Sequence, residues 1–425
     1  MSDARTVRAW CLYDWANSAF AATVMAALYP PFFRSIAEAD GLAPAAATAR
    51  WGLTTAAALA LVALSGPLLG AMADARAVRK HFLAGFMLLG VVATASFALL
   101  PDANWPLAAA AFVVANLGFA GSIVFYESLL PAVAAPGETD RVSARGYAWG
   151  YLGGGILLVI NMLWVTMPGR FGLDGAGEAV RLSFLSVAVW WLVFTVPLLR
   201  RVPEPAREPG PVLGGWARLR RTWSEVRRYR DLTVFLVAYW IYNDGIGTIV
   251  KMATAYGGEI GIETSHMIQA LVLTQFVAWP CSLLAGRLAD RLGARPVLVG
   301  GLAVYAGICV LGYFMTTAWQ FFVLAGLVGT VQGGCQALSR SLFTSMVPAG
   351  RTGEFFGFYA TSGKLAGIAG PLVFALVSQA VGSSRVSILV LVAFFVVGAW
   401  LLGRVDLERG RAEARRVARV LPPSP

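Results

Sequence analysis

Six ionisable side chains stand where such groups are expensive to keep. Asp14, Glu127, Asp244, Lys251, Arg340 and Lys364 each fall inside a stretch of about twenty residues otherwise nearly free of charge, the length that spans a bilayer. A charge at bilayer depth costs at least ~2.5 kcal/mol even on insertion scales, so the chemistry on offer is protonation, ion pairing or capture of a charged group. Asp244 lies about 12 residues into its stretch and Lys364 about 9 into its own, and at about 1.5 Å per residue both sit near the midplane. A midplane Asp–Lys pair either neutralises itself and ties two helices together, or takes a proton or faces a substrate charge. Tyr242 and Asn243 stand beside Asp244, and the Gly245 and Gly247 that follow are expected to weaken the helix, as at midplane binding sites.

Asp14 and Asn17 are three apart and share a helix face one turn into the first stretch. The carboxylate either favours the helix N-terminus or, with Tyr13 and Trp15 alongside, lines a vestibule. Glu127 and Arg340 lie at the same end of their stretches, in opposite halves of the chain. A charge pair between them would close a gate that opens when a substrate or proton disturbs it; otherwise each pairs within its own half. Lys251, near the far end of its stretch, reads as a lysine snorkelling to the interface. Enzyme chemistry finds no support. The two histidines, His81 and His266, cannot build HExxH, no GxSxG elbow occurs, and Gly363-Lys364 has Leu365 where a phosphate-binding loop needs Ser or Thr. The four cysteines show no paired spacing, so no metal site, disulfide or cofactor is expected.

The elements that hold these side chains are read from the rest of the chain. Of 425 residues, 58% are hydrophobic and 13% charged, too few charges for soluble surfaces. Twelve candidate spans follow, near 10–33, 49–73, 82–100, 106–132, 146–167, 182–199, 232–256, 267–285, 296–316, 319–347, 355–381 and 386–403. Of the 34 cations, 26 fall on the side of the termini, 5 on the opposite side and 3 inside spans. The basic surplus is therefore topology and not a nucleic-acid footprint, and it places both termini in the cytoplasm of a multi-pass protein of the inner (plasma) membrane. Met1 to Arg8 is a short polar start leading straight into a span too long for a cleavable signal peptide. The expected units are a six-helix bundle over 1–200, a linker over 201–231, a second bundle over 232–404 and a basic tail over 405–425. In the linker, Trp216, Leu219, Trp223 and Val226 interleave with arginines as in an amphipathic helix on the inner leaflet.

The halves repeat each other. Gly70-Ala71-Met72-Ala73-Asp74 has its counterpart 216 residues on in Gly286-Arg287-Leu288-Ala289-Asp290, and Pro131 has its own 217 residues on in Pro348. Tandem six-helix units of this kind make a rocker-type transporter with its site between the halves. The stretch from Gly286 to Arg295 resembles the signature loop of the major facilitator superfamily, the first copy being degenerate at Ala75 and Ala77. Within that superfamily the chain resembles the vacuole amino-acid effluxer-like permeases, including bacterial-type members. Tyr13-Asp14-Trp15-Ala16-Asn17-Ser18-Ala19-Phe20, Tyr242-Asn243-Asp244-Gly245 and the stretch from Gly334 to Pro371 carry the likeness, and Glu127 departs from it where the family has Asn.

The resemblance implies an all-α integral membrane protein of twelve helices in two pseudo-symmetric bundles, the major facilitator fold. It implies that Asp14, Glu127, Asp244 and Arg340 share a central cavity, and that Asp74, Asp290 and Arg291 serve the gate. The expected activity is alternating-access export or exchange of a small polar metabolite such as an amino acid, coupled to protons and performed by a monomer. A proton-coupled multidrug or lysolipid exporter is the alternative, and an intramembrane enzyme is disfavoured.

Overall fold

The computed structural model describes residues 2–76, 78–135, 137–204, 229–348, 352–381 and 384–420. The expected interfacial helix at 216–228 lies outside them, as do the side chains of Asp74 and Lys364. The described chain is helical: α1 (Ala4–Ala19), α2 (Pro44–Arg76), α3 (Arg79–Ser96), α4 (Trp105–Ser128), α5 (Thr139–Thr166) and α6 (Ala176–Arg201) form the first half. The second half is α7 (Arg230–Glu259), α8 (Thr264–Leu292), α9 (Ala294–Tyr313), α10 (Ala318–Met346), α11 (Thr352–Val381) and α12 (Ser384–Arg404), followed by α13 (Leu407–Val420). By length and composition alone α3 to α10 and α12 can cross a bilayer, and the first helix, α2 and α11 complete the twelve.

Local chemistry starts and bends these helices. Asp3 caps α1 by accepting from the backbone N–H groups of Arg5 and Thr6, and Thr317 with Gln320 closes a capping box at the start of α10. Past Ala19 the first helix continues as a π-helix, Phe20–Leu28, and then as Tyr29–Ala39 with Pro30 and Pro31 in its first turn. The irregularity expected at Gly245 in span seven is found in span one instead, for α7 runs unbroken through both glycines. Gly245 makes room for a neighbour: a Cβ there would lie 3.0 Å from the Phe395 ring of α12.

The apolar core is divided. One cluster runs from Val7 to Val202 and another from Leu232 to Val405, each built from the inward faces of six helices. Within the first, α3 and α4 cross so closely that a Cβ on Gly118 would stand 2.3 Å from the backbone nitrogen of Gly90.

Both chain ends sit on one face, called here the terminal face. Ser2 donates through its backbone N–H (2.8 Å) and its hydroxyl to Glu138, in the connection between α4 and α5. Those bonds hold the half-buried Glu138 carboxyl below the usual glutamate range, the hydroxyl being the larger cause. The basic tail is a docked helix. Asp231 at the start of α7, only 1% exposed, accepts from the Asp406 N–H at 2.9 Å and from both Nε and Nη2 of Arg409 on α13. Leu407, Gly410 and Ala414 fall at helical spacing and turn toward the bundle, Gly410 lying against Met346 of α10.

Candidate gate and transport site

A buried arginine ties the two halves together near the terminal face. Gly146, Gly150 and Gly154 on α5 form a groove for α1, where added Cβ atoms would strike Asp14 Oδ2 at 2.5 Å, Ser18 Oγ at 2.6 Å and Ser18 O at 2.9 Å. So seated, α1 brings Asp14 to Tyr126 of α4, whose hydroxyl donates to Asp14 Oδ2 at 2.6 Å. Arg340 enters from α10 in the other half, 1% exposed, with Nη2 3.5 Å from the same Oδ2. Its Nε donates to Ser143 Oγ and its Nη2 to Ser143 O, both at 2.9 Å, while Ser143 Oγ donates to Ala337 O at 2.8 Å. Aromatic faces complete the cage, Tyr147 at 4.3 Å, Trp10 at 4.8 Å and Tyr126 at 5.7 Å from the guanidinium carbon. A planar, always-charged fork fits such a site; a lysine would not span it.

This arrangement revises the expected gate. Arg340 does bridge the halves, but to Asp14, because the α5 glycines let α1 settle close enough to present its carboxylate. Glu127 is buried nearby with interactions of its own, and its charge acts on Tyr147, Tyr239, Tyr359 and Arg340. Asp290 and Arg291 are exposed at the terminal end of α8. There Gly286 packs on α5, and a Cβ would lie 2.7 Å from that of Ala144.

One turn farther from the terminal face lie residues that a search for charges passes over. Tyr151 of α5 donates to Gln336 Oε1 of α10 at 2.7 Å and also meets Gln332. Among the described residues, Asp14, Ser143 and Tyr151 thus join Gln336, Ala337 and Arg340 across the halves, and Asp140 bonds Ser341 nearer the terminal face. Beyond this layer the seam between α5 and α10 loses its cover, while α5 and α8 stay packed, a Cβ on Gly155 lying 3.2 Å from Gln275. Trp319, Val323, Gly326, Thr330, Gly333 and Ala337 lie on one stripe of α10 at steps of three and four. The last two are buried against Tyr151 and Ser143, whereas Val323 is 43% exposed and Thr330 is exposed. The cleft is sealed at the terminal face and opens the other way.

Removing the Tyr151 hydroxyl tests the seal's upper layer. A net hydrogen bond of about 1 kcal/mol is worth about a fivefold shift in a two-state equilibrium. In a chain with its own four cysteines replaced, Tyr151→Phe should raise the labelling rate of an Ala144→Cys thiol by that factor; an unchanged rate would mean the bond does not hold the seal.

The remaining candidates lie on α7 and α1. Tyr242 is buried with its hydroxyl 2.6 Å from Ser339 Oγ of α10, Asn243 is half-buried facing Gly363, and Asn17 of α1 is buried with Nδ2 unpartnered among the described residues. Asp244, 2% exposed, accepts from the Gly370 N–H at 2.7 Å through Oδ2, and its Oδ1 has no hydrogen-bond partner among the described residues. Lys251 does not simply reach for the interface: its Nζ donates to Gly367 O at 3.1 Å.

Two six-helix halves, sealed at one end by a buried ion pair and parted toward the other, define a secondary transporter of the major facilitator fold. The chain belongs to the family described as vacuole effluxer Atg22 like, whose model matches residues 2–415. It is 40% identical over 403 residues, 94% of each chain, to an uncharacterized MFS-type transporter of Bacillus subtilis, YxiO. It is 26% identical over 411 residues to autophagy-related protein 22 of Saccharomyces cerevisiae, covering 81% of this chain and 75% of that one. Among solved structures, the human organic anion transporter MFSD10 superposes with a TM-score of 0.75 at 17% identity, over 94% of this chain and 99% of that one. The Escherichia coli fucose:proton symporter FucP does so with 0.72 at 14% identity, over 95% and 98%. These two share the fold. The protein is a transporter and not an enzyme.

Proposed function

We propose that the protein exports or exchanges a small polar metabolite of the amino-acid class, driven by the proton gradient, as a monomer with both termini in the cytoplasm. The unequal closure of the two ends carries this reading. With 26 of 34 cations on the side of the termini, the sealed face is the cytoplasmic one and the structure is an outward-facing state. Alternating access then requires Arg340 to leave Asp14 and Ser143 as the terminal face opens, with Asp290 and Arg291 at its rim. A substrate with both an acidic and a basic group suits a cleft whose floor pairs Asp14 with Arg340 and adds the neutral amides of Asn17, Asn243 and Gln336. Coupling falls to Asp244. A carboxylate this buried with one oxygen unpaired is stabilised by accepting a proton there, while Oδ2 keeps its bond to Gly370.

Proteoliposomes carrying labelled amino acids under an imposed pH gradient test this directly. Asp244→Asn keeps the size and the Oδ2 acceptor but cannot titrate; gradient-driven flux should fall at least about tenfold while substrate exchange without a gradient persists. Gradient-driven flux unchanged in Asp244→Asn removes the proton site, and no gradient-dependent movement of any amino acid by the unaltered protein removes the substrate class.

A further inference from the structure

We infer that Lys251 is the second member of the coupling site: together with Asp244 it clasps the break that Pro371 makes in α11, so that the charge on Asp244 sets how α11 is held against the other half. The inference rests on the reading of Asp244 as the proton acceptor.

The argument begins with what proline removes. Pro371 has no N–H, so the carbonyl four residues before it, Gly367 O, loses its helical donor. That carbonyl is the one Lys251 Nζ reaches, at 3.1 Å. Three residues on, immediately before the proline, Gly370 N–H donates to Asp244 Oδ2 at 2.7 Å. Asp244 and Lys251 are seven residues apart on α7, two turns along one face, so a single helix grips two points of the turn that leads into the proline.

The grip leaves no room for side chains on α11. A Cβ on Gly370 would stand 2.0 Å from Thr248 Oγ1 and 2.8 Å from Asp244 Oδ1, and one on Gly367 would stand 2.7 Å from Lys251 Nζ. Among the described residues, the charge facing Asp244 is that of Lys251 on its own helix. From the packed neighbours, α12 presents the rings of Phe394 and Phe395 to Gly245, α10 presents Ser339 to Tyr242, and α11 presents the backbone of Gly367 and Gly370.

The functional step is electrostatic. With Asp244 ionised, carboxylate and ammonium balance one another and each holds one backbone group of the turn before Pro371. Protonation of Oδ1 removes that balance and leaves the ammonium, exposed on its outer side, held only by a carbonyl. Lys251 then exchanges that carbonyl for water, and the segment around Pro371 is freed. Because α11 packs lengthwise against α2 of the first half, its release reaches the surface on which the halves rock.

Three variants in proteoliposomes separate this role from simple carbonyl capping. Lys251→Met should keep exchange within about twofold while losing gradient-driven flux at least about tenfold, and Lys251→Arg should retain both. Adding Pro371→Ala to Lys251→Met restores an N–H for Gly367 O, so thermal stability should recover but gradient-driven flux should not. Recovery of that flux in the double variant, equal loss of exchange and flux in Lys251→Met, or full flux in Lys251→Met would each overturn the inference.

A substrate-free measurement distinguishes failure of the clasp from failure of the functional reading: the distance between spin labels on α2 and α11, at mildly acidic and mildly alkaline pH. A shift in the unaltered protein that is absent in Lys251→Met supports the clasp even if no amino acid is carried. The same shift in both overturns it, and no shift in either removes the proton reading together with the clasp.

Discussion

Arg340→Ala is expected to abolish transport and to open the terminal face. Removing one partner of a buried, hydrogen-bonded ion pair costs about 3–5 kcal/mol, because the partner left behind stays desolvated. Here Asp14 would keep only the Tyr126 hydroxyl, and Ser143 would lose both guanidinium donors. Since these bonds exist only when the halves are closed at this end, the whole loss falls on the sealed state. Its population relative to the opposite state should drop by roughly two to four orders of magnitude. Arg340→Lys preserves the charge opposite Asp14 but not the fork on Ser143 or the stacking on Tyr147, so it should recover only part of the function. Distances between spin labels at the terminal ends of α5 and α10 report the seal, and a short distance retained in Arg340→Ala would show that the pair does not hold it.

Gly118→Ala should have the largest effect on folding. The added methyl would meet the Gly90 nitrogen at 2.3 Å, its Cα at 2.5 Å and the Phe86 carbonyl oxygen at 2.7 Å. All three atoms belong to the α3 backbone, so no rotamer change relieves the clash and the two helices must separate. Separation would also unseat Trp191 of α6, whose ring lies where a Cβ on Gly90 would stand, and Phe86, whose ring lies against Gly121. Overpacking typically costs about 1–3 kcal/mol, and a backbone-to-backbone clash belongs at or above the upper end. Loss of monodisperse protein, or a thermal midpoint far below that of the unaltered chain, is the expected observation; Gly85→Ala, where a Cβ meets nothing, is the control. Equal stability of the two variants would mean that α3 and α4 do not cross this closely.

How much of this could be read beforehand depends on what each feature rests on. Spans and their order follow from hydropathy, which needs no knowledge of neighbours. Arg340 and Asp14 were visible as charges in apolar surroundings, but their pairing was not: at similar depth Asp14 and Glu127 are equivalent on paper, and the choice is made by glycines on α5 that admit α1. Lys251 misled for a related reason. That Pro371 frees a carbonyl is legible in the sequence; that this carbonyl faces α7 is a fact of helix rotation. Tyr151 and Gln336 escaped because a scan for ionisable groups passes over neutral ones. The tail was open to a better reading, for Leu407, Gly410 and Ala414 carry a helical period that the arginines between them obscure.

The docked tail also bears on how the molecule is made. Asp231 enters the membrane face with α7, and the arginine that neutralises it, Arg409, is synthesised 178 residues later. At about 5–20 residues per second, the carboxylate waits roughly 9 to 36 s for its partner. The second half therefore remains provisional until α13 has been made, and that helix acts as the closing stitch of its assembly.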